Sequence, residues 1–220
     1  MALWDGIENA GWGVHEDNPP TWKDLTSNGY DITWNITPGG FACHTIYDDA
    51  VGNGYPGYGW GYNLNIGSWT WIEAVFLWDG TGGSTSQRLV FTFSDGTALN
   101  LSTYNDTNTI RGVVLRTGSQ RAFTVGATAN VINARQCVQM GRSSGLRVYV
   151  NGVDCVVGAE SAVGWTPTTS GMYIGAEGNT MRGFNGKIYG IRIYDRELTD
   201  NERLANYAVD KARFSIPDAT

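Results

Sequence analysis

The chain has 220 residues, a formal net charge of −6 and a sequence pI near 4.8. No Lys/Arg cluster supplies the basic face that electrostatic nucleic-acid binding requires, and no run approaches the roughly 18 apolar residues of a membrane span. Thirty Gly, nine Trp and eleven Tyr describe a turn-rich β protein with an aromatic core, at a length that all-β sandwiches use as one unit. No linker, low-complexity tract or charge block divides the sequence, so residues 1–220 read as a single domain. The opening Met-Ala-Leu-Trp-Asp-Gly lacks the basic and apolar regions of a secretory signal.

The first forty residues carry Trp4, Trp12, Trp22 and Trp34 among Asn, Pro and Gly. They read as irregular structure around short strands. Strand signals follow at 71–78, where the alternation centres on Glu73, then at 88–94, 98–104, 110–116, 122–126 and 135–141, each bounded by turn residues. Residues 146–157 form the clearest hairpin, because Asn151-Gly152 supplies the two positive-φ positions of a type I′ turn. From Gly186 to Asp195 the spacing puts Lys187, Tyr189, Ile191 and Ile193 on one face and Ile188, Gly190, Arg192 and Tyr194 on the other. Thr199-Asp-Asn-Glu202 is a capping box, and a helix over 200–214 is expected to turn Leu204, Tyr207 and Ala208 to the body of the protein. About ten to fourteen strands, with no helical period before residue 199, predict two packed antiparallel sheets and one short C-terminal helix.

Cys137 and Cys155 flank the strand at 146–150. A turn near Ser143-Ser144 puts Cys137 about opposite Val150, and Asn151-Gly152 puts Cys155 about opposite Val148. The thiols then sit roughly 9–10 Å apart, beyond the ~7 Å Cα limit of a disulfide, so Cys43, Cys137 and Cys155 are expected as free thiols. His15 and His44 have no cysteine at metal-ligand spacing, and no zinc site is expected.

Four segments carry a family resemblance. Residues 21–31, Thr-Trp-Lys-Asp-Leu-Thr-Ser-Asn-Gly-Tyr-Asp, resemble the W-x-D-L-S-G-N-G entry motif of laminin-G-like modules from phages and bacteria. The Val-Tyr-Val-Asn-Gly hairpin at 148–152 and Tyr-Asp-Arg-Glu-Leu at 194–198 resemble two further segments of that fold. Residues 206–214, Asn-Tyr-Ala-Val-Asp-Lys-Ala-Arg-Phe, resemble the ending of phage and gut-bacterial members. The resemblance implies an all-β, concanavalin A-like jelly roll. It also implies a bacteriophage setting, on a virion surface or outside the cell.

The same jelly roll hosts glucanases with a Glu-x-Asp-x-x-Glu strand, whose carboxylates lie about 5–5.5 Å apart in retaining enzymes. This sequence lacks that spacing: Glu73 stands alone on its strand, Glu160 and Glu177 lie in loop-like surroundings, and Glu8 has no partner at i+2 or i+4. Neither histidine has a Gly-x-Ser-x-Gly nucleophile, so no catalytic residues are assigned. A non-catalytic carbohydrate-binding or adhesion module fits better. The Gly-rich run 51–62 offers Tyr55, Tyr58, Trp60 and Tyr62 as loop-borne rings for the apolar face of a sugar, with Asn53 for its hydroxyls. The competing expectation is a structural virion protein, a capsid decoration or tail component, whose aromatic loop meets other subunits or a second copy. No cofactor is required. Calcium is held by many relatives at one rim, where Asp48, Asp49, Asn53, Asp79, Asp95, Asn105, Asp106 and Asn179 are candidate oxygens, but no loop motif joins them and the stronger expectation is that they cap turns by bonding their own backbone.

Overall fold

The computed structural model describes residues 2–5, 21–22, 26–35, 44–47, 50–53, 60–63, 70–78, 87–93, 98–102, 109–116, 119–124, 134–141, 147–155, 171–174 and 186–218. Among these lie sixteen strands and one helix. The strands in the first sheet are β1 (Ala2–Asp5), β4 (His44–Tyr47), β5 (Ala50–Asn53), β7 (Trp71–Trp78), β12 (Arg135–Gly141), β13 (Arg147–Val150), β14 (Val153–Cys155) and β16 (Gly186–Tyr194). Its order is β14-β13-β12-β7-β16-β5-β4, and β1 pairs with β16 beyond the reach of β5. The second sheet holds β2 (Thr21–Trp22), β3 (Ile32–Asn35), β6 (Trp60–Asn63), β8 (Gln87–Phe93), β9 (Ala98–Ser102), β10 (Thr109–Arg116), β11 (Ser119–Thr124) and β15 (Met172–Ile174). Its order is β11-β10-β9-β8-β15-β6-β3-β2. Adjacent strands in both sheets pair antiparallel, for example β7 with β12 and β15 with β6. The helix α1 (Asp200–Phe214) closes the described chain.

The strands predicted at 71–78 and 135–141 form with those bounds. The hairpin also forms, with Asn151 at φ 49° and Gly152 at φ 81°, as a type I′ turn needs. Cys155 pairs with Val148 as read from the spacing, whereas Val150 lies opposite Val138, one position from Cys137. Cys137 and Cys155 are free thiols; Cys43 lies outside the described residues.

Residues 71–76 of β7 are buried without interruption, because both faces of the first sheet are covered. Ile72, Ala74, Phe76, Val138, Met140, Val148, Ile191 and Ile193 form one buried face. Val75, Cys137 and Tyr189 form the other, against Phe214 and Ile216 from the end of α1 and the residues after it. Burial of each such side chain contributes about 1.5–3 kcal/mol.

Two face assignments differ from those read in the sequence. In β16 the register shifts between Ile188, opposite Phe76, and Gly190, opposite Val75. This bulge spends one residue without a partner and resets the alternation. Tyr189 therefore joins the helix side, 5.7 Å from the Phe214 ring, rather than sharing a face with Ile191 and Ile193. In α1 the inward stripe is Arg203, Asp210 and Phe214 with Asn206 and Tyr207 half-buried, while Leu204 is 46% exposed and Ala208 faces solvent. The sheet beneath presents charged and amide groups, which only polar helix residues can satisfy.

The helix begins as its capping box requires. Glu202 N–H donates to Thr199 Oγ1 at 3.3 Å, and Thr199 N–H donates to Glu202 Oε2 at 2.9 Å. It ends at Ser215 in the left-handed conformation, whose N–H donates to the Lys211 carbonyl, so a serine does here what glycine more often does.

Candidate functional site

The only carboxylate on β7, Glu73, is 1% exposed beneath α1. Its Oε1 accepts from Gln139 Nε2 at 2.7 Å and from Trp71 Nε1 at 3.2 Å. Its Oε2 accepts from Asn206 Nδ2 at 2.9 Å and from Arg192 Nη1 at 3.4 Å. Arg192 also makes a two-pronged bridge to Asp210, Nη1 to Oδ2 at 2.6 Å and Nη2 to Oδ1 at 2.5 Å. Glu73, read from the sequence as solitary, thus shares one guanidinium with a second carboxylate brought by the helix. Sequence spacing could not show this, because Asp210 arrives from another element. Its signal was present in the polar stripe Arg203, Asn206, Asp210 at helical spacing.

The electrostatics follow from burial. Desolvation raises the Glu73 pKa above its ordinary value, against the opposing pull of Arg192, Gln139 and Trp71. Burial works to lower Arg192, but its hydrogen bonds and charge attraction to Asp210, with Glu73 behind, win and hold the guanidinium charged. Tyr194 is pushed up to about 12 by burial and then by the Glu73 charge; its Oη accepts from Asn206 Nδ2 at 2.9 Å. Burial pushes the Cys137 thiol well up, and Asp210 adds to it, with Cys137 Sγ 4.0 Å from Asp210 Oδ2.

Around this centre the helix is held by further polar contacts. Gln139 Nε2 donates to the Arg203 carbonyl at 2.9 Å, and Arg203 Nη1 donates to the Gly152 carbonyl at 3.3 Å. The Arg203 guanidinium lies 3.7 Å over the Tyr149 ring, and Arg135 Nη1 reaches the Phe214 carbonyl at 2.6 Å. Every oxygen of Glu73 and Asp210 is engaged and neither residue meets solvent, since Asp210 is 0% exposed. A glycosidic pair needs one acid and one base or nucleophile open to a sugar ring. Glu73 and Asp210 instead clamp the helix to the sheet.

Of the residues proposed from sequence for sugar contact, the three described ones are divided between the two sheets. Asn53 ends β5 in the first sheet, opposite His44 and Gly186. Trp60 and Tyr62 occupy β6, inside the second sheet, where the sequence reading placed a loop. Tyr62 is paired on both sides, opposite Thr33 and Tyr173, and Trp60 lies opposite Asn35. The Gly-rich composition hid a strand whose register is set by its neighbours. Tyr55 and Tyr58 lie outside the described residues, as do Asp48, Asp49, Asp79, Asp95, Asn105, Asp106 and Asn179. Among the described residues, no group of three or more His, Cys, Asp or Glu is placed to hold a metal ion. No helix among them is long and apolar enough to cross a membrane.

Two antiparallel sheets, a helix sealed over one of them and aromatic residues on the strands of the other define a lectin-type β-sandwich. Residues 58–202 match the family model described as the concanavalin A-like lectin/glucanases superfamily, and the chain belongs to that family. No curated protein matches the sequence. Among solved structures the fold is similar to a Trypanosoma rangeli sialidase in complex with sialic acid, with 13% identity and a TM-score of 0.65 over 94% of this chain. This chain spans 32% of that sialidase. It is also similar to domain 4 of the Geobacillus stearothermophilus arabinanase AbnA in complex with arabinotriose, with 14% identity and a TM-score of 0.58 over 94% of this chain and 97% of that domain. A third likeness is the binding domain of botulinum neurotoxin serotype D, with 10% identity and a TM-score of 0.64 over 97% of this chain and 52% of the other.

Proposed function

We propose that this chain is a non-catalytic carbohydrate-binding or adhesion module. The observation that carries the reading is the family match over residues 58–202. It is joined by a fold that fits, almost end to end, an arabinanase domain solved with arabinotriose. The placement of Glu73 and Asp210 supports a non-catalytic role, since both are closed under α1 and committed to Arg192. The Trp60 and Tyr62 rings are the recognition residues we favour from the original set, because apolar sugar faces stack on flat aromatics. Asn53, Tyr55 and Tyr58, from the same Gly-rich run, complete the set we propose for recognition. The setting we favour is the surface of a bacteriophage particle, on the strength of the entry and ending motifs at 21–31 and 206–214.

The reading is tested by glycan-array binding of the purified chain, followed by calorimetric titration. Binding of at least one oligosaccharide, weakened by Trp60→Ala, supports it. No binding to host polysaccharide or array glycans, together with a fixed symmetric position on particles seen by cryo-EM, replaces it with a structural virion role.

A further inference from the structure

Helix α1 has its hydropathy reversed. Its buried residues are Arg203, Asp210 and, only at its end, the apolar Phe214, whereas a surface helix ordinarily buries an apolar stripe along its length. At about 3.6 residues per turn, Leu204, Ala205, Ala208, Val209 and Ala212 fall on the opposite side, and each of them is exposed. Leu204 is 46% exposed and Val209 58% exposed. The other exposed large hydrophobic among the described residues, Val153, follows Gly152, where an added Cβ would meet the Tyr207 ring of the same helix. Exposed apolar side chains are ordinary when scattered and informative when they gather. Here they gather on α1.

The charges bordering this stripe fit a second copy of it. By helical spacing Asp200 and Lys211 lie beyond Leu204, and Glu202 and Arg213 lie beyond Val209. Each border therefore holds one acid in the first turn and one base in the last. Two such helices running antiparallel about a two-fold axis bring each border against its own copy reversed. Glu202 then faces the partner's Arg213, Asp200 faces the partner's Lys211, and the helix dipoles oppose favourably. A parallel pair would set acid on acid and base on base.

We infer that α1 is a self-association surface, through which two copies of this chain pair by antiparallel helix packing. The inference is independent of the carbohydrate-binding reading. Ala205, Ala208 and Ala212 let the two backbones approach closely, and Leu204 and Val209 supply apolar area to be buried. Within one chain Asp200, Glu202 and Lys211 bridge Arg203, Arg196 and Asp218. Exposed bridges contribute little, so the charges set the orientation while the apolar stripe supplies the affinity. The stripe is about 12 Å long. Its interface therefore falls below the ~1,200 Å² of standard interfaces, and the dimer is weak and reversible.

Sedimentation equilibrium of the purified chain, with a thiol reductant present, tests this from about 10 μM to about 1 mM, the range of weak affinities. A reversible monomer–dimer equilibrium is expected, weakened about tenfold or more by Leu204→Glu and by Val209→Glu. Charge reversal tests the orientation. Lys211→Asp and Asp200→Lys should each weaken self-association, and mixing the two variants should restore a dimer, because both antiparallel contacts regain opposite charges. Amide shifts on diluting the unaltered chain should concentrate at residues 204, 205, 208, 209 and 212, a readout that needs no variant to fold. A chain that stays monomeric up to about 1 mM overturns the inference. So does a dimer untouched by Leu204→Glu and Val209→Glu, with dilution shifts elsewhere. A mixture that associates no more tightly than its two components overturns the antiparallel pairing, and the inference with it.

Discussion

At Glu73, four donors converge on one carboxylate and burial still lifts its pKa. The native state then holds the Glu73 proton more tightly than the unfolded chain does. Its contribution to stability is greatest below the ordinary value of 4.5 and is lost as pH rises through the native pKa. In urea titrations the stability of the wild-type chain relative to Glu73→Gln should fall as pH is raised from about 4 to about 8. Glu202 has the opposite sign. Hydrogen bonds from Arg196 and Thr199 bring its pKa down from 4.5 to about 2, so its stabilisation is present above 4.5 and disappears as pH falls towards 2. Glu202→Gln should remove that acid-side loss without altering the neutral-to-alkaline behaviour. Asp210→Ala leaves Arg192 buried with only its longer contact to Glu73, and breaking a buried pair costs about 3–5 kcal/mol. Chemical denaturation should show a drop of that order, and a loss under about 1 kcal/mol would mean the bridge is relaxed in solution.

The helix and the Asn151-Gly152 turn behave as one unit. Gly152 combines a φ of 81° with a position where an added Cβ would stand 2.7 Å from the Tyr207 ring, so both backbone and packing demand glycine there. Gly152→Ala should destabilise the chain by at least ~1–2 kcal/mol, and Gly152→Asn, which tolerates the backbone angle, should still lose the Tyr207 contact. The Cys137 thiol, 0% exposed beneath α1, reports helix release. In a Cys43→Ser/Cys155→Ser background, Asp210→Ala should accelerate its reaction with a thiol reagent at denaturant concentrations too low for global unfolding. Equal rates in both chains would show that the helix leaves only when everything else does. The sequence disclosed this helix down to its capping box, because caps are local chemistry. It misassigned the inward stripe, because hydropathy favours Leu204 over Arg203, and only the sheet's polar face reverses that order. The bulge that turns Tyr189 towards Phe214 was likewise hidden, since a period-2 pattern contains nothing that marks an extra residue.

For the whole molecule, two-sheet architecture and antiparallel pairing were legible from strand spacing, the Asn-Gly turn and the family-like segments. The candidate surface was legible only in its residue types. Trp60 and Tyr62 stood out as aromatic, but their place between β3 and β15 depends on pairing with Thr33 and Tyr173, distant in sequence and unmarked by any motif. The polar seam under α1 has one more consequence. The bonds from Asn206 to Glu73 and from Arg192 to Asp210 match in a single docking register, so sliding the helix by a turn would strand the buried Asp210 carboxylate and Arg192. Residues 215–218 are thereby anchored on the first sheet's side of the sandwich. A tether attached there would anchor the protein through the first sheet and leave the second sheet on the side away from the support. Such an immobilised layer should capture whatever glycan the free chain binds, whereas random coupling through surface amines would occlude a share of the molecules.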